Sequence, residues 1–516
     1  MASNFGGLIQ TVAAAWMMTA LTGNAQMVAL VQTCATLPMM LISVPAGALA
    51  DIYERRTIML VAQLGMLLVA AVLTVATALA WTTPVVLLAA TFLIGAGTAL
   101  HAPAWQASLQ DQVPRSEVEA AASLNSVGFN VARSVGPAMG GLVVALAGVA
   151  AAFAVNTLSY VGLIVTLLAW KRPPRDRPLP PEGVAEAIRA GIRFVALSPA
   201  LVAVLVRAGA FGLCGSGVWA LTAILARDGL GGGPAAFGLL LGGFGGGAVI
   251  GAFIRAALPI ARERLTKSCC LAFGLAAILL GLSGDLVLSV GLMAIAGGAW
   301  VMALTGLSVT VQFIAPRWVV GRAMSLNQVS IFAGMAIGSW FWGFVAHQYG
   351  ARAAFLASGA AMLASLLLAP LFPLSREEMP DLTPTRTHPI DGLEGPVGPN
   401  DGPIVVTIEY RVAPANHAAF VDAMDDLGRI RRRNGAHRWT LHQDVDDPTR
   451  WVERFHSLTW LDHLRRQTRH TRADQAVSDR VASLREGPIV VNRMLERRLW
   501  TAPIGPAEQP GDGSTV

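Results

Sequence analysis

The strongest constraint on this chain is how its apolar residues are spaced. Residues 1–372 hold about a dozen apolar runs of roughly 17–25 residues, the length needed to cross a hydrocarbon layer about 30 Å thick. The predicted runs are 5–21, 27–48, 57–80, 84–108, 121–147 and 149–170, then 200–226, 235–258, 267–284, 286–314, 321–346 and 351–372. Each is bounded by a short polar break. Only 14% of the 516 residues are charged, against about a quarter in a soluble protein. The pattern therefore excludes a soluble enzyme for the first 372 residues. The first run is short and starts almost at Met1, as a run clipped by a turn or two would. No basic region precedes it and no small-residue cleavage site follows it, so it does not read as a cleaved signal.

The runs are also repeated. Gln110–Gly141 returns 202 residues later as Gln312–Gly343, and Pro114/Pro316, Arg115/Arg317, Ser123/Ser325, Asn125/Asn327, Gly136/Gly338 and Gly141/Gly343 all keep that offset. Over 95–153 and its partner, 17 of 59 positions are identical without a gap. A duplicated unit of six apolar helices is the mark of a transporter built from two repeats. The expected division is 1–170, six helices; 171–199, a linker; 200–372, six helices; 373–402, a linker; 403–500, a soluble domain; and 501–516, a disordered tail.

Basic residues set the expected orientation, because positive loops stay in the cytoplasm. Alternate connections on one side carry Arg55, Arg56, Arg115, Lys171, Arg172, Arg175, Arg177, Arg189, Arg193, Arg262, Arg264, Lys267, Arg317 and Arg322. The other side carries Arg227 and Arg352. Both termini and the central linker are thus expected in the cytoplasm of a bacterial cell. Within that linker, Val184–Leu197 has helical amphipathic spacing and is predicted to lie at the membrane surface.

The residues from Pro403 to Arg498 read as β-α-β-β-α-β, a ferredoxin-like order. Strand-like stretches are 404–412, 439–445, 451–458 and 489–495. Helical ones are 416–433, stopped by Asn434-Gly435, and 460–484. His442, His456, His463 and His470 have no metal-ligand spacing. His463 and His470 are seven apart on one predicted helix and read as a solvated stripe. Arg431–Arg433 reads as a basic patch for anionic headgroups. The four cysteines, Cys34, Cys214, Cys269 and Cys270, lie in apolar runs as small core residues. No Walker motif is present, which argues against ATP-driven transport.

Between the second and third runs stands Gly47-ALADIYERR. Gly47, Asp51, Arg55 and Arg56 match the G-x-x-x-D-[RK]-x-G-[RK]-[RK] loop of the major facilitator superfamily; Ile52 and Glu54 depart from it. Gly136, Pro137, Gly140 and Gly141 match the GPxxGG core that exporters of that superfamily carry in helix 5. The stretches 37–51, 103–115, 123–141 and 312–323 resemble the subfamily of the enterobactin exporter, the transmembrane secretion effectors. Residues 431–471 resemble dimeric α+β barrel domains of the antibiotic-biosynthesis monooxygenase type.

The resemblance implies an all-α membrane protein of twelve helices in two six-helix repeats, with a small α+β ferredoxin-like domain. It implies alternating access and, by proton coupling, export of a small amphipathic molecule such as a siderophore, a secondary metabolite or a drug. Asp51, Arg55 and Arg56 would latch the halves. Glycines and the proline of helix 5 would let a seam seal and reopen.

Arg133 is the strongest candidate for the cavity, because a charge at mid-membrane costs roughly 3 kcal/mol unless it meets a partner or water. Gln10, His101, Trp105 and Gln106 join it because helices 1 and 4 line the family's cavity, with His101 a proton carrier. Arg207 either joins them or snorkels. No run carries a central Asp or Glu. Expected partners are a small-molecule substrate, the proton, the bilayer and a second copy through the C-terminal domain. No cofactor, metal or nucleic acid is expected. An importer or lipid-flipping relative, or an anchored enzyme or sensor acting through the C-terminal domain, remain the alternatives.

Overall fold

The computed structural model describes residues 2–112, 118–170, 184–257, 261–316, 318–374, 381–382, 385 and 397–496. Within these, the side chains of Asp51, Gln106 and Arg133 lie outside the described set, though their backbones are helical. The predicted tail 501–516, residues 171–183 of the first linker and most of the second linker also lie outside it. Contacts divide the chain into two compact units, 1–379 and 380–516.

Among the described residues the first unit is built of helices. Its helices are α1 (Ala2–Leu21), α2 (Ala25–Ile52), α3 (Arg55–Ala78) and α4 (Pro84–Gln112). The stretch Val118–Ala169 is broken at Gly148 (φ 81°, ψ 172°), giving α5 before the break and α6 after it. A further helix, Val184–Ala196, precedes α7 (Pro199–Ile224), α8 (Pro234–Ala257), α9 (Arg262–Leu282), α10 (Leu286–Ile314), α11 (Val320–Tyr349) and α12 (Ala351–Leu371, its middle tightened to a 3₁₀ turn). Ten described spans are long and apolar enough to cross a membrane. One of them, Val135–Ala169, contains the Gly148 break and so joins two helices, and the shorter apolar Phe5–Leu21 completes the twelve.

The sequence repeat is a structural one. Pro84–Gln112 and Leu286–Ile314 begin and end 202 residues apart, as do the starts of α5 and α11. Gly148 and Gly350 are also 202 apart, and both turn the chain at positive φ (81° and 86°) into α6 and α12. A β-carbon is disfavoured in that conformation, which explains glycine at both positions. Contacts repeat too. In one half α2 packs on α4, α3 on α4 and α6, and α1 on α5 and α6; in the other α8 packs on α10, α9 on α10 and α12, and α7 on α11 and α12.

Helix ends in this unit shift from expectation by up to five residues. The α9 helix starts five residues before the predicted 267, because Glu263 sits in its first turn, where the helix dipole favours an acid. The Val184–Ala196 helix forms as predicted, and part of its apolar side packs on protein: Phe194 meets Trp318 edge-on at 5.3 Å between ring centres.

The second unit carries β1 (Ile404–Arg411), α13 (His417–Asn434), β2 (His437–Gln443), β3 (Arg450–Ser457), α14 (Trp460–Thr468), α15 (Arg472–Leu484) and β4 (Glu486–Leu495). The sheet is antiparallel with order β2-β3-β1-β4. Alternation sends Val406, Ile408 and Tyr410 inward onto Phe420, Met424 and Leu427 of α13. The helix ends at Gly435 (φ 122°) as expected. The predicted single helix 460–484 is instead two. Thr471 and Asp474 form a reciprocal capping box that starts a new helix after α14. That break removes the predicted His463–His470 stripe: His463 is buried on α14, and His470 lies between the helices against Thr385 at 3.0 Å. The Arg431–Arg433 patch is also spent inward, Arg431 on Glu453, Arg433 on Asp474 and Arg432 over the Trp439 ring.

Candidate functional site

The two six-helix halves meet along α2–α11 and α5–α8. Small residues make this approach possible. On α5, Gly136 and Gly140 face Leu8 and Ile9 of α1, where an added β-carbon would lie 3.0–3.1 Å from Leu8 Cβ and Ile9 Cα. Pro137 between them is buried. Gly141 faces the other half: a β-carbon there would lie 2.5 Å from Gly238 Cα on α8. Three further contacts join the halves at the same end. Trp16 stacks on Phe237 at 6.2 Å, Arg227 donates to the Thr19 carbonyl, and Gly343 of α11 abuts Ala29 of α2. That end is the one opposite the basic connections.

At the other end, α2 approaches α11, with Gly47 reaching 4.0 Å from Ser325 Oγ by its virtual β-carbon. Arg55 is buried. Arg56 donates from Nε and a terminal nitrogen to the carbonyls of Leu167 and Leu168, 2.7 and 3.0 Å away. These are the last carbonyls of α6, so Arg56 caps that helix within its own half. The Asp51 side chain lies outside the described residues, so the latch expected of it is untouched by these contacts.

The cavity residues separate into distinct environments. Gln10 is 4% exposed, and its carbonyl accepts from the Asn156 amide, which also reaches Tyr160 at 3.2 Å. This buried network between α1 and α6 was not singled out from the sequence. Asn156 and Tyr160, a polar pair four apart in an apolar run, were the available signal. His101 stacks on Trp105 at 6.0 Å, and among the described residues its Nε2 is buried without a hydrogen-bond partner. Trp105 packs towards Ile58, Met59 and Leu167 on α3 and α6. Arg207 is neither free nor snorkelling. It pairs with Glu263 of α9 at 2.6 Å, with the two side chains 4% and 14% exposed. Glu263 also takes the Leu374 amide at 3.2 Å and Lys267 at 3.5 Å. The side chains of Arg133 and Gln106 lie outside the described set. Among the described residues no cluster of His, Cys, Asp or Glu is arranged to hold a metal.

Two pseudosymmetric six-helix bundles, built of helices long and apolar enough to span a bilayer and joined at glycine-lined seams, define a secondary transporter of the major facilitator type. The chain belongs to the transmembrane secretion effector family, whose description fits residues 1–499 and so extends through the α+β unit. Over 156 residues it is 30% identical to a staphyloferrin A transporter of Staphylococcus aureus (strain NCTC 8325 / PS 47), a match covering 30% of this chain and 39% of that protein. It is similar in fold to a bacterial homolog of the human lysosomal transporter Spinster (14% identity, TM-score 0.56, 72% of this chain and 92% of that one). A D-xylose-proton symporter is similar at 14% identity and TM-score 0.57, over 73% and 98% of the two chains.

Proposed function

We propose that this multi-pass membrane protein is a proton-coupled exporter of a small amphipathic molecule (a siderophore, secondary metabolite or drug) in the bacterial inner membrane, with both termini in the cytoplasm. The observation that carries the reading is the Gly141–Gly238 approach. A GPxxGG helix meets the opposite half at backbone distance there, as a seam that opens and closes would require. The partial likeness to a staphyloferrin A transporter favours a siderophore-like cargo. Rocking of the halves would alternate access, and His101, with its unpartnered nitrogen, is the titratable group proposed to carry the proton. Arg133 is proposed to meet an anionic or polar group of the cargo. A homodimer through the C-terminal domain accompanies this reading: edge strand β4 leaves Val490 and Met494 about half exposed, on the face opposite Val406 and Ile408 by register.

The test is efflux from cells expressing the chain, with a fluorescent drug and a siderophore in parallel, with and without a protonophore. Protonophore-sensitive loss of either compound is expected. Uptake instead of loss would make the chain an importer. Loss indifferent to the protonophore would remove proton coupling.

A further inference from the structure

The α+β unit buries more positive charge than its fold uses. The register of β1 on β3 places Glu453 opposite Ile408 and Phe455 opposite Val406, so both point under the helices. Glu453 is fully buried and fully engaged. Its Oε1 accepts from Trp439 Nε1 at 2.9 Å and from Arg431 Nε at 3.1 Å, and its Oε2 accepts from the Tyr410 hydroxyl at 2.8 Å. One carboxylate thus answers one guanidinium.

A second guanidinium enters from α14. Arg466 is 8% exposed and lies 4.2 Å over the Phe455 ring. Among the described residues its one hydrogen bond goes to His463 Nδ1 at 3.3 Å, and its Nε is buried without an acceptor. His463 is 1% exposed. Because its Nδ1 accepts, its Nε2 bears the proton, so the Gln467 side-chain amide 3.0 Å away must turn its oxygen towards it to accept. Trp460 stacks on that imidazole at 5.3 Å, and its own indole N–H is a second buried donor with no acceptor among the described residues. A third cation, Arg493 on β4, pairs in register with Val406 and shares its face. It has no carboxylate partner among the described residues. Burial and then Arg431 and Arg493 hold the Arg466 guanidinium down to about 9, and Glu453, already paired with Arg431, offsets this only in part.

A buried cation without a counter-ion costs several kcal/mol, and an orphaned donor adds to that. Two orphaned donors on either side of one imidazole, beside an unanswered charge, mark the place of an absent acceptor. Val491 and Arg493 leave the helix-side face of the sheet open at β4, where Val491 is 40% exposed. We infer that this open face of the sheet binds a small aromatic carboxylate, its oxygens taken by Arg466 and Trp460, its charge shared with Arg493, and its ring against the Phe455 and Trp460 side chains. A monoanion suits the single uncompensated buried charge better than a phosphate dianion. The inference is independent of what the membrane unit exports.

Equilibrium dialysis of the full-length protein in detergent tests it, with benzoate, benzamide and inorganic phosphate as probes. One benzoate per chain is expected, with benzamide and phosphate bound at least about tenfold more weakly. Arg493→Gln, on an exposed strand, weakens benzoate about tenfold and leaves the ligand-free Tm unchanged. Arg466→Met abolishes binding, while its ligand-free Tm stays level or rises, because an unpaired charge has been removed from the interior. Benzoate slows hydrogen exchange in peptides covering 455–468 and 486–495. No saturable benzoate binding, benzamide or phosphate bound as well as benzoate, or binding unchanged in both variants would overturn the site. A large fall in ligand-free Tm for Arg466→Met would make that residue a structural brace instead.

Discussion

Gly141 of α5 and Gly238 of α8 face each other across the two halves so closely that neither has room for a side chain. A β-carbon on Gly141 would lie 2.5 Å from Gly238 Cα, and one on Gly238 would lie 2.8 Å from Gly141 Cα. The atoms met are backbone, so no rotamer change relieves the clash. Gly141→Val is therefore expected to force the seam apart, at a cost of about 1–3 kcal/mol. Transport should fall more than tenfold. The matched control is Gly246→Ala, also on α8, where nothing lies within 4 Å of the added carbon and transport should be unchanged. Wild-type efflux by Gly141→Val would remove this seam from the mechanism.

Arg207 and Glu263 join α7 to α9 as an almost fully buried ion pair at 2.6 Å. Breaking such a pair from one side leaves an uncompensated buried charge and costs about 3–5 kcal/mol. Arg207→Met alone and Glu263→Leu alone should both lower the Tm of the detergent-solubilised protein markedly. The double variant should recover most of the loss. If the double variant is as unstable as the sum of the singles, the two residues act independently and the pair is incidental.

How far the fold was legible follows from which interactions are local. The 202-residue offset between Gly148 and Gly350 was visible as identity, and it carried the shared backbone turn with it. The apolar runs were visible because each helix must satisfy its own backbone in lipid. Glu263 was not recognised as a helix opener, since its partner Arg207 is 56 residues away and only packing brings them together. Arg56 was read with the loop, yet its partners are carbonyls 111 and 112 residues on. In the α+β unit the four-strand order was readable from turns and alternation. The buried Glu453–Arg431–Tyr410 group was not, because it depends on the β1–β3 register and on where α13 lands. The break at Thr471 was readable in principle: T-x-x-D is a capping signal, here overridden in the reading by the helical run around it.

The helix Val184–Ala196 is pinned by Phe194, which is 2% exposed and set edge-on to Trp318. Gly191 lies so near Arg322 that a β-carbon would come within 2.8 Å of its Cβ. Losing a buried aromatic of this kind costs about 3–5 kcal/mol, more than a thirteen-residue helix can hold by propensity alone. Phe194→Ala should release it, seen as faster hydrogen exchange in peptides over 184–197 with α7 unchanged. Unaltered exchange there would mean that other contacts hold the helix.

His463 gives the α+β unit an acid limit. Burial, then Arg466 and Arg493, push its imidazole from the usual 6.5 to about 3. The folded form thus resists a proton that the unfolded chain accepts. The associated stability is complete above about pH 6.5 and is lost as the pH falls from there towards 3, at ~1.4 kcal/mol per unit. His470 is lowered as well, first by burial, and adds in the same direction. Hydrogen exchange of peptides within 404–495, followed from pH 7 to pH 4 and corrected for intrinsic rates, should show protection falling through this window. His463→Gln cannot take up the proton and should flatten the slope. A slope as steep in that variant as in the parent would place the acid sensitivity elsewhere in the unit.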